Sequence, residues 1–306
     1  LRIAVLAQPE SWYYRDLARA AADLRQECVR ADFASLRAVI GQEARGNGPA
    51  GEKHPEVQFF DSAIPDAPSP DVVLVRTMPP GSLEQVVYRM DALARLEASG
   101  VNIINPPKSL ECAVDKYLTT ARCRAAGLPV PDTVVCETEV AALDAFDRLG
   151  GDVVVKPLFG AEGRGIVRVS NPDLALRTFR TLSRLQAVLY LQRFVEHPGF
   201  DVRVLVLDGE VLGGMKRYAA EGDFRTNVSR QARAEKHLPT PLEAELALHA
   251  TSAVGAWFAG VDLLYDRDGR CCVIEVNAVP GWKAFARVNQ LDVAATLLAR
   301  VAARPQ

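Results

Sequence analysis

The chain has 306 residues, of which 49% are hydrophobic and 24% charged, with a formal net charge of −2 and a pI near 6.2. At roughly 100–200 residues per domain, that length allows one large or two modest domains with ample core, and the composition excludes disorder as the main state. No apolar run approaches the roughly 20 residues that span a bilayer, and the near-neutral charge gives no global sign of a nucleic-acid or membrane-surface binder.

The cysteines Cys28, Cys112, Cys123, Cys136, Cys271 and Cys272 form no CxxC pair, so neither a disulfide framework nor a zinc site is expected. Nor do the histidines His54, His197, His237 and His249 show HxxxH spacing. Leu1–Leu6 reads as a strand rather than a secretory leader, so the expectation is a cytoplasmic chain with reduced thiols. Seven of the 36 basic residues are lysines and the rest arginines, which makes each lysine a slightly better candidate for a specific role.

Ile3–Leu6 is predicted as a strand and Tyr13–Val29 as a helix, with apolar Leu17, Ala20, Ala21 and Leu24 at helical spacing. Residues 46–56 read as loop, Val57–Phe60 as a short strand and Val72–Arg76 as a buried parallel strand. Ser82 caps a helix to Ala98, and Val101–Ile104 is a strand ended by Asn105-Pro106-Pro107. This alternation predicts a parallel α/β domain over 1–106. Ser109–Ala126 is then a helix closed by Gly127. Strands follow at 153–156 and 166–169, a helix at 174–185, strands at 189–195, 201–207 and 211–217, a long helix at 241–259, and strands at 261–265 and 271–277. This region reads as α+β with antiparallel hairpins.

The strongest chemical signal is near the C-terminus. With Asp268-Gly269 as a two-residue turn, counting back places Asp262 opposite Glu275, and Asn277 shares the face of Glu275. Facing carboxylates among apolar neighbours repel unless a cation lies between them, and hard oxygen ligands suit Mg²⁺. The plain alternative is a different register with one carboxylate in solvent. Lys156 ends an apolar strand, and a loop with Gly160, Gly163 and Gly165 follows. Such glycines let backbone N–H groups approach phosphate, though the loop alone is equally an ordinary hairpin connection. With Asp208-Gly209 as a turn, Asp201 falls opposite Lys216 and on one face with Arg203. Lys216, Arg217 and Arg225 then form a positive cluster suited to a transferred phosphoryl group. An ordinary cross-strand ion pair is the other reading. Gln192-Arg193-Phe194-Val195-Glu196 runs from a strand into a polar segment that could offer backbone groups to an adenine.

In order, Asp115-Lys116, Lys156-Pro157, Gly160–Gly165, Asp201–Arg203, Glu221–Asn227, Gly260-Val261-Asp262 and Glu275-Val276-Asn277 resemble the ATP-grasp superfamily, in its RimK-type glutamate-ligase branch. The resemblance covers residues 100–300. It implies an α/β N-terminal domain followed by an α+β ATP-grasp fold, with the nucleotide held between two subdomains. These are a central one at 107–190 and a C-terminal one at 191–306. It further implies that Lys116 and Lys156 contact ATP phosphates, and that Gln192, Arg193, Phe194, Val195 and Glu196 form the adenine hinge. Arg193 stands where the branch often has glutamate, so only its backbone is expected to act. Asp201 would lie near the ribose. Arg217, Arg225 and Asn227 would hold the γ-phosphate and acyl phosphate, with Lys216 as the competing face residue. Asp262, Glu275 and Asn277 would bind two Mg²⁺ ions, or Mn²⁺ in their place.

The implied reaction is ATP-dependent amide formation through an acyl phosphate, with L-glutamate as the amine and a small-molecule carboxylate as acceptor. Val75–Val87, Leu158-Phe159-Gly160, Tyr190–Val195 and Thr226-Asn227-Val228 look like the ligases associated with tetrahydromethanopterin. Arg76, at the end of a parallel strand, would read the acceptor carboxylate. Glutamylation of a protein C-terminus or another small cofactor is the alternative, as is a non-catalytic nucleotide-binding module. No nucleic-acid or membrane partner is implied. The branch's dimers and tetramers make a homo-oligomer the expectation.

Overall fold

The computed structural model describes residues 1–40, 57–59, 69–160, 164–220, 222–226 and 233–304. The expected loop at 46–56, Gly163, Glu221 and Asn227 lie outside them. The chain forms two compact units: Leu1–Glu111 with Gly281–Ala286 and Gln290–Gln306, and Cys112–Pro280 with Arg287–Asn289. Among the described residues, no helix is long and apolar enough to cross a membrane.

The first unit opens with β1 (Arg2–Leu6), α1 (Trp12–Asp23), β2 (Glu27–Ala31), β3 (Leu36–Ala38), β4 (Val57–Phe59), β5 (Val72–Val75), α2 (Leu83–Ala98) and β6 (Asn102–Ile104). Its main sheet has the parallel order β2-β1-β5-β6, beside a two-stranded antiparallel ribbon of β3 and β4. The apolar runs of β1 and β5 are buried, as a parallel sheet requires. The helix expected to reach Val29 ends at Asp23, and β2 begins four residues later. Only Ala31 of β2 is buried, so this edge strand carries no run of core residues to announce it.

The chain continues through α3 (Pro107–Val114), α4 (Lys116–Ala125), β7 (Thr133–Cys136), α5 (Glu139–Arg148), β8 (Val153–Lys156), β9 (Val167–Val169), α6 (Pro172–Arg184) and β10 (Leu189–Arg193). It then forms β11 (Phe200–Leu207), β12 (Glu210–Tyr218), β13 (Ala234–His237), α7 (Pro241–Val254), β14 (Phe258–Tyr265), β15 (Cys271–Asn277), α8 (Lys283–Asn289) and α9 (Val293–Ala303). The helix expected at 109–126 is broken at Asp115. Its side chain accepts from the Leu118 amide at 3.0 Å and caps α4, setting Lys116 in the first turn. The helix expected to reach 259 stops at Val254, where Gly255 takes a left-handed φ of 74°.

The second unit holds two antiparallel sheets, β7-β10-β8-β9 and β13-β12-β11-β14-β15. The first packs on α5 and α6 through Phe146, Phe179, Leu189 and Leu191, the second on α7 through Val204, Val261, Ala247 and Ala250. All of β10 pairs within the first sheet, so the boundary expected at 190/191 would cut a strand. Nor does the stretch 191–306 stay together, because α9 belongs to the first unit. Its buried face, Val293, Ala294, Leu297, Leu298 and Val301, provides the reason, together with the Arg19–Asp292 hydrogen bond of 2.9 Å that joins it to α1.

Candidate functional site

A cleft opens in the second unit. Val154 from the four-stranded sheet, Ile166 just before β9, and Leu264 and Ile274 from the five-stranded sheet give it apolar lining beside Gln192–Val195. Such apolar lining next to a strand end suits a flat aromatic base. Its charged lining is Lys116, Lys156, Asp201, Arg225, Asp262 and Glu275.

The charged lining is placed by strand register. Asp262 does pair with Glu275, although not by the two-residue turn. The observed loop leaves Tyr265 opposite Cys271, one residue out of the expected count, and a bulge between Asp262 and Leu263 restores it. On β11 and β12 the turn is at Asp208-Gly209, with left-handed φ of 53° and 74°. A bulge at Leu205/Val206 then puts Arg217, not Lys216, opposite Asp201. Lys216 pairs with Val202 and stacks its ammonium over Phe200, 4.6 Å from the ring centre. It therefore lies on the other face of the sheet, away from the cleft.

Four charges close into a network. Arg217 forks onto Asp201 at 2.7 and 2.5 Å and reaches Asp262 at 2.9 Å. Arg203 forks onto Asp262 at 2.6 and 2.7 Å. Thr226 donates its hydroxyl to Asp201 at 2.5 Å. Burial opposes ionisation of Asp262, but Arg203 and Arg217 outweigh it and hold its pKa down at about 2. Burial also works against the Arg217 charge, and Asp262 and Asp201 overcome that too, raising its pKa.

Lys156 is set differently. Its ammonium donates to Gln192 Oε1 at 2.7 Å, and the Gln192 amide donates to Thr133 and Tyr190 at 3.1 Å each. Burial pulls its pKa down to about 8, with Glu275 opposing and Lys116 assisting. Lys116 donates to the Gly160 carbonyl at 2.7 Å, which ties α4 to the glycine loop. Arg225 lines the cleft and pairs with Asp223 at 2.8 Å.

Of the other expected residues, Arg193 lines the cleft, whereas Glu196, Gly160 and Gly165 do not. The Arg193 side chain turns to Asp132 at 3.0 Å while its amide bonds Asp132 O, in keeping with a backbone-only role. Exposed Glu196 pairs with Arg267. Gly160 and Gly165 have φ of 149° and 73° and do not line the cleft. Arg76 belongs to the first unit, buried 4.9 Å from the ring centre of Tyr13 and 4.4 Å from that of Trp282. Burial lowers its pKa to about 10.

Sequence reasoning assigned no role to Arg203, His197, Phe224 or Thr226. Arg203 was legible as a neighbour of Asp201 on one strand face. His197, whose pKa burial lowers, gave no signal by spacing.

The metal-ligand set can be judged on its donors. Glu275 is half-buried and lines the cleft, and its side chain makes no hydrogen bond or ion pair among the described residues. It thus keeps its lone pairs for a cation. Asn277 Oδ1 accepts from the Val279 amide at 2.8 Å and Asp262 is shared with two arginines. Two carboxylates and an amide oxygen on adjoining strands fit a hard divalent ion.

The two antiparallel sheets and the cleft in the second unit, with a parallel α/β unit beside them in sequence, define an ATP-grasp fold. The ATP-grasp ligase PsnB complexed with its minimal precursor superposes with a TM-score of 0.74 at 22% identity, over 98% of each chain. The same ligase is also known complexed with precursor, Mg and ADP, at a TM-score of 0.71. Residues 113–301 match the RimK-like ATP-grasp domain, and the chain belongs to that family. It is 37% identical over 205 residues to the tetrahydromethanopterin:alpha-L-glutamate ligase of Methanosarcina acetivorans, a match spanning 63% of each chain. Against the same-named ligase of Methanococcus maripaludis it is 36% identical, over 70% of this chain and 73% of that one. The match thus spans just under two thirds of the first relative and somewhat more of the second.

Proposed function

We propose that this chain is an ATP-dependent, ADP-forming acid–amine ligase that adds L-glutamate to a tetrahydromethanopterin-type acceptor in the cytoplasm. The observation that carries the reading is the pairing of Asp262 with Glu275 beside Lys156 and the Arg217 network. It joins two carboxylates for a divalent ion with cations for a phosphoryl group. In that reaction the acceptor carboxylate takes the terminal phosphoryl group of ATP, giving an acyl phosphate and ADP. The glutamate amine then displaces phosphate to form the amide.

Lys116, Lys156 and Arg225 offset the phosphate charge from the cleft walls, and Arg217 reaches the same place by exchanging a carboxylate for a phosphate oxygen. Val154, Ile166, Leu264 and Ile274 hold the base, with the backbone at Arg193–Val195 reading its edge. Asp262, Glu275 and Asn277 would hold Mg²⁺, which when bound would supply positive charge against that developing on the phosphate. Arg76, fixed by two aromatic rings, reads a carboxylate of the acceptor. No side-chain nucleophile is required.

The test is ADP release with Mg²⁺-ATP and L-glutamate, with and without tetrahydromethanopterin-type acceptors, combined with product mass. Glutamate-dependent release with one glutamyl increment on the pterin is the expected result. Release only with another acceptor discards the pterin. Nucleotide binding without release for any acceptor replaces the ligase by a nucleotide-binding module.

A further inference from the structure

Asp262 is assigned above as a ligand for a divalent ion, yet its carboxylate is already heavily committed. A carboxylate offers about four lone-pair sites. Arg203 Nε occupies one on Oδ1, Arg203 Nη2 one on Oδ2, and Arg217 Nη2 a second on Oδ2. Strand register fixes both partners, since Arg203 pairs with Asp262 across β11/β14 and Arg217 with Asp201 across β11/β12. The four charges sum to zero, so the buried carboxylate presents no net negative field to an approaching cation. A dication arriving alone would meet two guanidinium groups at hydrogen-bond range, and close like charges repel strongly away from bulk water.

The two arginines are not equivalent. Arg217 divides its donors between Asp201 and Asp262, and phosphate oxygens accept the same fork geometry. It can therefore leave Asp262 when phosphate arrives, and Asp201 retains its bond from Thr226. Arg203 gives its whole Nε/Nη2 edge to Asp262 and reaches no other carboxylate within 4 Å among the described residues. We propose that Arg203 is a positioning residue that withholds Asp262 from a bare divalent ion, so that the site takes up metal only together with nucleotide phosphate. This rests on the reading of Asp262 and Glu275 as metal ligands. Its consequence is an order of assembly. Phosphate would draw Arg217 away and supply negative charge, and Glu275 with the freed side of Asp262 would then be available to hold the metal.

The experiment is a Mn²⁺ titration of the full chain, read by the electron paramagnetic resonance signal of free Mn²⁺, with and without a non-hydrolysable ATP analogue. Wild type, Arg203→Gln and Arg203→Lys are compared. Removing one guanidinium charge next to the carboxylate is expected to tighten binding of Mn²⁺ alone by about tenfold in Arg203→Gln. Arg203→Lys keeps the charge but loses the fork, and a smaller rise of about threefold is expected. A merely structural role would lower metal affinity or leave it unchanged. Thermal melts establish which variants fold, and if Arg203→Gln does not, the lysine variant carries the test. Unchanged or weaker binding of Mn²⁺ alone, with normal uptake beside the analogue, overturns the proposal and leaves the metal site standing. No uptake by wild type beside the analogue overturns both.

Discussion

The two sheets of the second unit bury their cations in opposite ways. In the four-stranded sheet Lys156 leans on uncharged groups: Gln192, then Thr133 and Tyr190, then Thr120, 2.8 Å from the Tyr190 hydroxyl. In the five-stranded sheet Arg203 and Arg217 are each bonded directly to carboxylates. The pKa directions follow. Lys156 falls to about 8, whereas Arg217 is driven further up. A buried cation among neutral dipoles is short of negative charge and gains by meeting an anion. A cation inside a balanced network gains only by exchanging one anion for another. On the proposed reading the first arrangement would attract phosphate, and the second would select what replaces its carboxylates.

The sharpest way to break this contrast is to remove one carboxylate from each situation. Asp262→Asn and Glu275→Gln are both expected to cost about 10²–10³-fold in turnover as metal ligands. Their effects on stability should diverge. Asp262→Asn leaves two buried guanidinium groups partly unmatched, an expected loss of about 3–5 kcal/mol. The Glu275 side chain makes no hydrogen bond or ion pair among the described residues, so Glu275→Gln should stay within about 0.5 kcal/mol of wild type. Denaturant melts beside steady-state rates check both. Equal destabilisation would show that Glu275 is held as Asp262 is.

Lys156 gives the next largest effect, and its sign is set by pH. The folded pKa of about 8 lies below the ordinary 10.5, so between these values the unfolded chain binds more protons and stability rises with pH. Below about pH 8 the cost of burying the charged ammonium is fully present. Comparing denaturant melts of wild type and Lys156→Met from pH 7 to 10.5 should show that rise as a difference between the two. Nucleotide affinity runs the other way, weakening above about pH 8 as the ammonium is lost. The midpoint should move upward at saturating nucleotide, because a bound anion favours the charged form. A pH-independent affinity difference between the two proteins would remove Lys156 from the phosphate site.

Arg76 provides a third kind of buried cation, stacked on Tyr13 and Trp282 in the first unit. Arg76→Lys keeps the charge and loses the planar stack, worth about 0.5–2 kcal/mol. Thermal denaturation should show that loss. KM for the acceptor should rise while nucleotide affinity holds. Unchanged KM would make Arg76 a packing residue alone.

The sequence carried most of this site because its chemistry sits on strand pairs with recognisable turns. The Asp208-Gly209 turn was legible, and so was the partnership of Asp262 and Glu275. The bulges were not, because an extra residue in a strand changes register without altering composition. One bulge cancelled a miscounted loop, and the other exchanged Lys216 for Arg217. The alternation of β1, α1, β5, α2 and β6 in the first unit was equally legible, but β2, β3, β7, β13, α5, α8 and α9 were missed. β7 and β13 are short, with no residue fully buried and so no core-facing run, and the α5 periodicity rests largely on alanine. The placement of α9 with the first unit could not be read locally, since its partner α1 lies at the other end of the chain. Arg203 escaped assignment because a carboxylate's two arginine partners are a fact of register, not of motif.

The smallest expected effect is at Arg193, and it tests whether the hinge works by backbone alone. The neighbouring segment is anchored twice by main-chain bonds: Arg193 N–H to Asp132 O at 2.8 Å and Phe194 N–H to Asp152 O at 3.0 Å. The Arg193 side chain is about half exposed, and its partner Asp132 more so. Exposed pairs contribute at most about 1 kcal/mol, so Arg193→Ala should leave nucleotide affinity within about fivefold of wild type. Gln192→Leu, one residue away, removes the acceptor of a buried ammonium and should cost more, about 1–3 kcal/mol. Isothermal titration with a non-hydrolysable ATP analogue separates the two. If Arg193→Ala weakened binding as much as Gln192→Leu, the guanidinium itself would contact the nucleotide, and the hinge would not be the neutral part of the cleft.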